Sequence, residues 1–238
     1  MDGRPEKHDS RRCLKGGQPT FNRIIDNIIL AQELSLKTRI SVRVNIDKNN
    51  DEDFVWLYNH IKNLNLPNVF VYPGFVVDIS GKDCNSCLYN SNDITRFLIN
   101  LYEKHGILIP FFYPDGRIAS CSVRNANSTV IGPKGELYKC WNDVGDPSKV
   151  YGSIFGKPMN ESILYKYLTG ADHLSDPVCQ ECKFLPICNG GCPYIRLQEE
   201  AHGKRSDKNC LLFKKNIKDF LWIHYQSKNQ RHTLNHNF

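Results

Sequence analysis

Four cysteines fall within fourteen residues, in the segment CQECKFLPICNGGC from Cys179 to Cys192. Thiols at this density are joined in disulfides, are redox-active or bind metal. The segment MDGRPEKHDSRR is charged and lacks the apolar stretch of a secretion signal, and no run approaches the roughly 20 apolar residues of a membrane span. We therefore expect the protein to be cytoplasmic. Because thiols stay reduced in the cytoplasm, its ten cysteines indicate metal binding.

The composition indicates a folded protein with two modest domains. The chain has 238 residues, of which 40% are hydrophobic, and this suffices for a buried core. Its net charge of +6 is mildly basic, and the Lys and Arg residues are scattered rather than gathered into a stripe. We therefore expect no nucleic-acid partner and no membrane partner.

The first third of the chain has the pattern of alternating helices and strands. Thr20 is placed to cap a helix with apolar residues at helical spacing. RISVRVNID at 39–47 alternates apolar and polar residues, which predicts a strand. A helix is predicted at 51–64 and a second strand at 68–72. These units predict an α/β fold, cut short of the roughly 250 residues of a complete (β/α)8 barrel.

The polar face of the first strand carries Arg43 and Asn45. Inside a barrel these side chains would point toward a cofactor or substrate cavity. On the surface of an edge strand they would have no such role. Both interpretations stay open at the level of sequence, and the pair is our candidate for cofactor binding.

The pattern changes near residue 115. Before it lie a loop with Cys84 and Cys87 and a helix predicted at 93–105, which Gly106 ends. After it comes STVIGPKGELYKC, which predicts a hairpin with a turn at Pro133 and Gly135. A helix is predicted from Cys210 to about Tyr225.

The spacing of the clustered cysteines indicates iron-sulfur ligation. A CxxC turn alone is common to zinc sites, iron-sulfur sites and redox dithiols. Here Gly190 and Gly191 allow the backbone to bend around an inorganic core. Zinc sites usually separate two CxxC turns by a dozen or more residues. Three further cysteines complete a set that favours cluster binding: Cys121, Cys140 and Cys210.

Taken together, these seven cysteines resemble a known signature. Cys121, thirteen residues, Gly135, four residues and Cys140 are followed by CxxCx5CxxxC and by Cys210. This order is similar to that of the SPASM domain, the auxiliary-cluster domain at the C-terminus of many radical S-adenosylmethionine (SAM) enzymes. MDGRPEKHDSRR, TFNRIIDNI and VRVNIDKNN resemble the middle and later parts of the partial barrel of such peptide-modifying and protein-modifying enzymes.

The resemblance implies two 4Fe-4S clusters. One would be held by four cysteines: Cys179, Cys182, Cys188 and Cys210. Three cysteines would hold the second: Cys121, Cys140 and Cys192. Where some relatives have a further cysteine, this chain offers residues such as Asn125 and Asn127, so an iron open to substrate or to a nearby side chain is a hypothesis. Cys13, Cys84 and Cys87 fall outside the signature, the last two as a chance pair or an extra ligand set.

The chain departs from the family in lacking the CxxxCxxC motif that binds the SAM-cleaving cluster. Cys84 and Cys87 do not supply it, because Ser80 stands in the place of the first cysteine. We therefore expect a C-terminal portion of such an enzyme, a gene fragment or one chain of a split enzyme, that is inactive alone. SAM would bind only if an N-terminal half were supplied, for example as a separate partner chain.

A second departure concerns the substrate. In sulfatase-maturing relatives an aspartate directly follows the cysteine that corresponds to Cys140, and it is the proposed base. Here Trp141 follows and the next acid is Asp143, a weak candidate for catalysis whose position favours a turn or cap. This departure disfavours sulfatase maturation and leaves other peptide or protein substrates open.

The sequence thus predicts a radical SAM barrel remnant at 1–115, a small α+β SPASM iron-sulfur domain at 116–226 and a disordered tail at 227–238. Its expected role is the auxiliary-cluster portion of a peptide or protein maturase. Two alternatives remain. One is a zinc-binding interaction module, and the other is an electron-transfer protein with two clusters.

Overall fold

The computed structural model describes residues 1–34, 37–76, 88–109, 121–156, 160–188, 190–203, 210 and 214–235. The described helices are α1 (Pro5–Arg11), α2 (Phe21–Leu34), α3 (Asp51–Asn63), α4 (Ser91–His105), α5 (Glu161–Tyr165), α6 (Pro177–Gln180), α7 (Leu185–Cys188), α8 (Pro193–His202) and α9 (Ile217–Asn235). The strands are β1 (Ile40–Ile46), β2 (Val69–Phe75), β3 (Val130–Ile131), β4 (Glu136–Tyr138) and β5 (Gly152–Ser153). None of these helices is long and apolar enough to cross a bilayer.

The chain divides into two compact units. The first comprises Met1–Pro110 together with Lys218–Phe238, and the second comprises Phe111–Ile217. Helix α9 therefore belongs almost wholly to the first unit. Helix α9 includes residues 227–235, which the sequence predicts to belong to a disordered tail. The stretch QSKNQRHTLN contains no Gly or Pro and several good helix formers, so nothing in it ends the helix.

The first unit is built on a parallel β1–α3–β2 motif. Ile40 pairs with Val69 and Ile46 with Phe75 along a two-stranded sheet. The alternation predicted for the first strand is present, since its apolar residues are buried and the residues between them are more exposed. The apolar core that these elements share contains Val42, Val44, Ile46, Phe54, Leu57 and Ile61.

The edge of β1 away from β2 is paired with the first residue of the chain. The amino group of Met1 donates to the carbonyl of Arg43 at 2.7 Å, and the amide of Asn45 donates to the carbonyl of Met1 at 2.8 Å. This is the hydrogen-bond pattern of two parallel strands. The polar side chain that follows Met1, Asp2, is therefore held beside β1, where it accepts from Asn45.

A buried histidine fixes α1 against the start of α2. His8 is 1% exposed, its Nδ1 accepts from the amide of Asp2 at 3.2 Å, and its Nε2 lies 3.1 Å from the hydroxyl of Thr20. Because Nδ1 is an acceptor, the ring proton resides on Nε2 and is donated to Thr20. Burial lowers the pKa of His8, which keeps the ring neutral.

The N-terminus of α2 is capped by a residue from α1. Asp9 Oδ1 accepts from the amides of Thr20 at 2.7 Å and of Phe21 at 2.9 Å. Thr20 directly precedes the helix, as predicted, and its carbonyl accepts from the amide of Ile24 at 3.0 Å. Its hydroxyl donates to the carbonyl of Arg12, so the side-chain cap comes from Asp9 and not from Thr20. A cap contributed from eleven residues earlier is invisible to local sequence patterns.

Helix α4 agrees closely with its prediction. Asn90 caps its first turn and Asp93 completes a capping box. Gly106 ends the helix in the left-handed conformation, with a φ of 64°. The ring of Tyr102 in this helix meets Trp222 of α9 edge to face, with centroids 6.0 Å apart.

The second unit contains the predicted hairpin. β3 and β4 pair antiparallel around the turn at Gly132–Gly135, and β5 adds to β4. Gly135 has a φ of 81°, and a Cβ there would lie 2.7 Å from the ring of Phe155. Lys139 follows the hairpin and is 1% exposed, because its ammonium donates to the carbonyls of Asn125 and Ser128.

Candidate metal centre

Three of the predicted ligands form one neighbourhood, which we call the first thiol set: Cys121, Cys140 and Cys192. Cys140 lies two residues after the end of β4 and is buried. Cys121 precedes a short 3-10 turn and is exposed. Cys192 stands at the N-terminus of α8. The hairpin and α8 thus bring cysteines that are 52 residues apart in sequence into one place.

The pKa of the Cys140 thiol reflects its burial and the charged groups around it. Burial is the main cause that raises its pKa to about 11; the charges of Asp143, Cys192 and Cys121 contribute in the same direction, and a hydrogen bond from the Asn142 amide opposes them. A thiol with such a pKa is protonated at neutral pH, so binding of a metal must displace its proton.

The second thiol set comprises Cys179, Cys182, Cys188 and Cys210. Cys179 lies in α6 and Cys188 ends α7. Burial raises the pKa of Cys188, and the charges of Cys179 and Cys210 add to this effect. Amides of Gly190 and Gly191 act in the opposite direction, since N–H groups that point at a sulfur favour the thiolate.

The backbone after Cys188 turns sharply. Gly190 and Gly191 have φ values of 77° and 72°, in the region that residues with a Cβ rarely adopt. A Cβ on Gly190 would lie 2.4 Å from the ring of His173, so the close approach also requires glycine. The two glycines therefore have the role that the sequence predicts for them, which is a tight bend beside the thiols.

All seven predicted donors are soft thiolates, which suit both zinc and iron-sulfur clusters. In the described part of the chain, no group of three or more His, Cys, Asp or Glu residues is arranged to hold one metal ion. A tetrahedral zinc with Zn–S bonds of about 2.3 Å draws its thiolates close together. The ligands of a 4Fe-4S cluster bind separate irons and therefore stand farther apart than the ligands of one zinc ion.

A buried acid lies beside the first thiol set. Asp143 is 2% exposed, and its Oδ2 accepts from the hydroxyl of Tyr167 at 2.6 Å. Burial raises the pKa of Asp143, although the Tyr167 hydrogen bond acts to lower it. Tyr167 packs with Cys140 and Val123 in an apolar cluster. The candidate acid is therefore a partner of Tyr167 next to a predicted ligand.

A π-helical turn positions Tyr167. Lys166–Gly170 continues α5 with the wider hydrogen-bond spacing of a π-helix. Such turns are rare and often occur at functional sites. Tyr167 lies in this turn and is 4% exposed, whereas Tyr165, two residues earlier, is 56% exposed.

An arginine lies against the second thiol set. Arg196 Nη2 donates to Cys179 Sγ at 3.2 Å, and Nη1 donates to Asp176 Oδ2 at 2.6 Å. Asp176 also caps α6 by accepting from the amides of Val178 and Cys179. The guanidinium thus connects the cap of the CxxC turn with the first thiol of that turn.

The remaining candidates have plainer surroundings. Arg43 is exposed and its side chain lies across Gly74, while Asn45 is half-buried and donates to Asp2 Oδ1 at 3.4 Å. Asn125 and Asn127 are exposed, and Asn125 Oδ1 accepts from the Asn127 amide. Cys13 is exposed, and Cys84 and Cys87 lie outside the described residues.

Two residues near the thiols are absent from the sequence-based candidates. Arg196 stands four residues after Cys192, which is one helical turn and was a usable signal. Tyr167 had no such signal, because the aromatic residues of YKYL have a pattern that is typical of an ordinary apolar core. Its contact with Asp143 depends on the π-helical turn, which has no known sequence signature.

Comparison with known proteins identifies a relative for nearly the whole chain. Of the chain, 94% aligns at 24% identity with a cysteine-type anaerobic sulfatase-maturating enzyme from Clostridium novyi (strain NT). This chain is a homologue of that maturase. The resemblance to radical SAM maturases that the sequence predicts is thereby confirmed. No family model matches the chain.

Solved structures agree with this relationship at the level of fold. Native anSMEcpe with bound AdoMet matches with a TM-score of 0.60 over 95% of this chain, at 19% identity. A structure of anSMEcpe with bound AdoMet and Cp18Cys peptide matches with a TM-score of 0.59, also at 19% identity. The chain is thus an α/β protein with the fold of the matched part of a maturase.

The chain spans 65% of the length of the Clostridium novyi maturase and 65% of the anSMEcpe chain with bound AdoMet. The homology concerns a protein named for sulfatase maturation, whereas the sequence disfavours that substrate because Trp141 follows Cys140. The chain is thus similar to a sulfatase-maturating enzyme but has Trp141 at the position after Cys140.

Proposed function

We propose that this chain is the auxiliary 4Fe-4S portion of a radical SAM maturase that modifies a peptide or protein. The observation that carries the proposal is the sorting of the thiols. Cys140 is electrostatically coupled to Cys121 and Cys192, and Cys188 is coupled to Cys179 and Cys210. Each group falls within one of the two ligand sets that the SPASM resemblance implies, and Cys182 is the predicted ligand that these interactions do not include.

In this proposal the two units have separate tasks. The parallel β1–α3–β2 unit is the remnant of the SAM-binding barrel, and Arg43 and Asn45, on the polar face of β1, are its candidate cofactor-binding residues. The hairpin unit is the SPASM domain. SAM cleavage requires an N-terminal half that carries CxxxCxxC, and the reducing cytoplasm keeps the thiols available as ligands.

The residues of this chain divide the work at each cluster. Bound clusters supply one-electron chemistry. The seven thiols release their protons and act as ligands, and the amides of Gly190 and Gly191 stabilise the sulfur of Cys188. Asp143 holds the Tyr167 hydroxyl at 2.6 Å and so fixes the apolar wall beside Cys140. Asp143 is also the candidate proton acceptor of this site.

The direct test is the metal content of the chain purified without oxygen. We expect a brown protein with about eight irons and about eight sulfides per chain, as two 4Fe-4S clusters require. The C140S C192S variant should lose about half of both, because only the first thiol set is damaged. Cys13→Ser provides a matched control, since Cys13 is exposed and lies outside both sets.

Other outcomes discriminate between functions. A colourless chain that contains zinc contradicts the proposal and favours the interaction module. Two clusters that do not respond to any peptide, even with the N-terminal half supplied, favour the electron-transfer protein. Production of 5'-deoxyadenosine by this chain alone would contradict the need for a second half.

A further inference from the structure

Arg196 belongs to neither thiol set, but it contacts Cys179, which belongs to the second set. The side chain of Arg196 is 13% exposed, and its guanidinium donates to a thiol, a carboxylate and the carbonyl of Gly190. All three acceptors belong to the loop system around the second thiol set. A cation is therefore held within hydrogen-bonding distance of a predicted ligand sulfur.

A charged hydrogen bond to a ligand sulfur changes the energetics of a cluster. Adding an electron makes an iron-sulfur cluster more negative, and a nearby cation stabilises the reduced form more than the oxidised form. Hydrogen bonds to the sulfurs act in the same direction and are among the main determinants of cluster potential. Arg196 supplies both effects at one atom, Cys179 Sγ.

Asp176 has the opposite charge in the same place. Its carboxylate lies 2.6 Å from Arg196 Nη1 and 3.6 Å from Cys179 Sγ. If the arginine served only to hold the cap of α6, the two residues would act as one structural unit. If the arginine acts on the sulfur, removing either charge must have opposite consequences for an electron on the cluster.

We propose that Arg196 is a tuning residue that raises the reduction potential of the cluster bound by Cys179, with Asp176 limiting the effect. The inference rests on the proposed function, because it requires that the second thiol set binds a cluster. It concerns residues of this chain outside both ligand sets.

The test is an anaerobic redox titration with dithionite as the reductant, followed by electron paramagnetic resonance, on the full chain. Arg196→Gln should lower the reduced-to-oxidised ratio of one cluster about tenfold at a fixed solution potential, which is about 59 mV for a one-electron couple. Asp176→Asn keeps a capping side chain and should raise that ratio. Arg196→Lys keeps the charge and should fall between Arg196→Gln and the unchanged chain.

Lys183→Gln is the matched control. Lys183 follows Cys182 directly, is exposed, and carries the same charge as Arg196, with its ammonium over the ring of Phe184. Water screens this charge, so the variant should leave both potentials unchanged. The reduction potential of the other cluster, the one assigned to the first thiol set, should change little in every variant. That cluster therefore serves as an internal reference.

The outcomes separate the two levels of the proposal. Opposite shifts for Arg196→Gln and Asp176→Asn confirm the tuning role. Full iron and sulfide content with unshifted potentials, or with shifts of the same sign, overturns it while leaving the proposed function intact. If Arg196→Gln loses its cluster, the sign of the Asp176→Asn shift decides. Absence of iron from the unchanged chain overturns both.

Discussion

At the scale of single residues, His8 is a buried base whose neutral form the fold requires. It accepts from the Asp2 amide at Nδ1 and donates from Nε2 to Thr20, so a second ring proton on Nδ1 would meet the amide proton of Asp2. The Asp2 carboxylate, 3.7 Å from Nδ1, offsets part of this cost, but burial is the larger effect. The pKa of His8 is lowered by burial, so the unfolded chain takes up a proton at a higher pH than the folded chain. The stability that His8 contributes is thus present above its unfolded pKa of about 6.5 and is lost as the pH falls below it.

We therefore expect the free energy of unfolding to decrease when the pH is lowered from about 7.5 to about 5.5, in the range where histidine titrates. His8→Asn keeps an acceptor for the Asp2 amide and should reduce this pH dependence. His105→Gln is the control, because His105 is exposed at the end of α4. Urea titrations at several pH values measure the effect, and equal slopes for His8→Asn and the unchanged chain would contradict it.

Residues of this kind mark the limit of sequence reasoning. The glycines at 190 and 191 were identified because a bend beside thiols requires glycine, and the structure places both at positive φ. His8 and Tyr167 were not, because burial arises only when distant segments meet. Asp143 was noted as an acid near Cys140, but its bond to Tyr167 depends on a π-helical turn 24 residues later.

At the scale of elements, local patterns predict the middle of each helix and strand better than its ends. β1 and α3 follow from alternation and helical spacing, and α4 from its cap and Gly106. The start of α2 differs because its cap comes from Asp9 in α1, and α9 continues beyond the predicted end. Caps and ends depend on neighbours that a local pattern does not contain.

The cap on α2 has a measurable contribution. Asp9→Ala should reduce the free energy of unfolding by about 1 kcal/mol, because the amides of Thr20 and Phe21 lose their acceptor. Asp9→Asn keeps an acceptor and should recover most of this loss. Asp26→Ala removes the same charge from an exposed site on α2 and should change stability by less than about 0.5 kcal/mol. Similar losses for Asp9→Ala and Asp26→Ala would show that charge, and not capping, matters.

At the scale of the whole molecule, the first unit is discontinuous in sequence. Residues up to 110 fold together with 218–238, and the hairpin unit is inserted between them. The sequence analysis places residues up to 226 in the second domain, whereas the structure groups Lys218–Phe238 with the first unit. Local sequence patterns do not show which core the apolar residues of α9 join. The ring contact between Tyr102 and Trp222 and the burial of Phe220 are visible only in the structure.

This arrangement predicts that damage to α9 is felt in the first unit. Phe220 is 4% exposed, and Phe220→Ala should cost about 3 to 5 kcal/mol and speed hydrogen exchange in α4. Iron and sulfide content should be unchanged, since all seven predicted ligands lie in the other unit. Leu221→Ala alters the neighbouring, half-exposed side chain and should have a much smaller effect. Loss of iron from Phe220→Ala, with α4 exchange unaffected, would contradict this division.

The buried Lys139 has a practical consequence for chemical labelling. Its amine is enclosed and donates to two carbonyls, so reagents such as activated esters do not reach it, whereas Lys134 on the hairpin turn is open to them. Fluorophores or surface anchors can therefore be attached through lysines without acylating the residue next to Cys140. The fold itself protects that position from electrophiles.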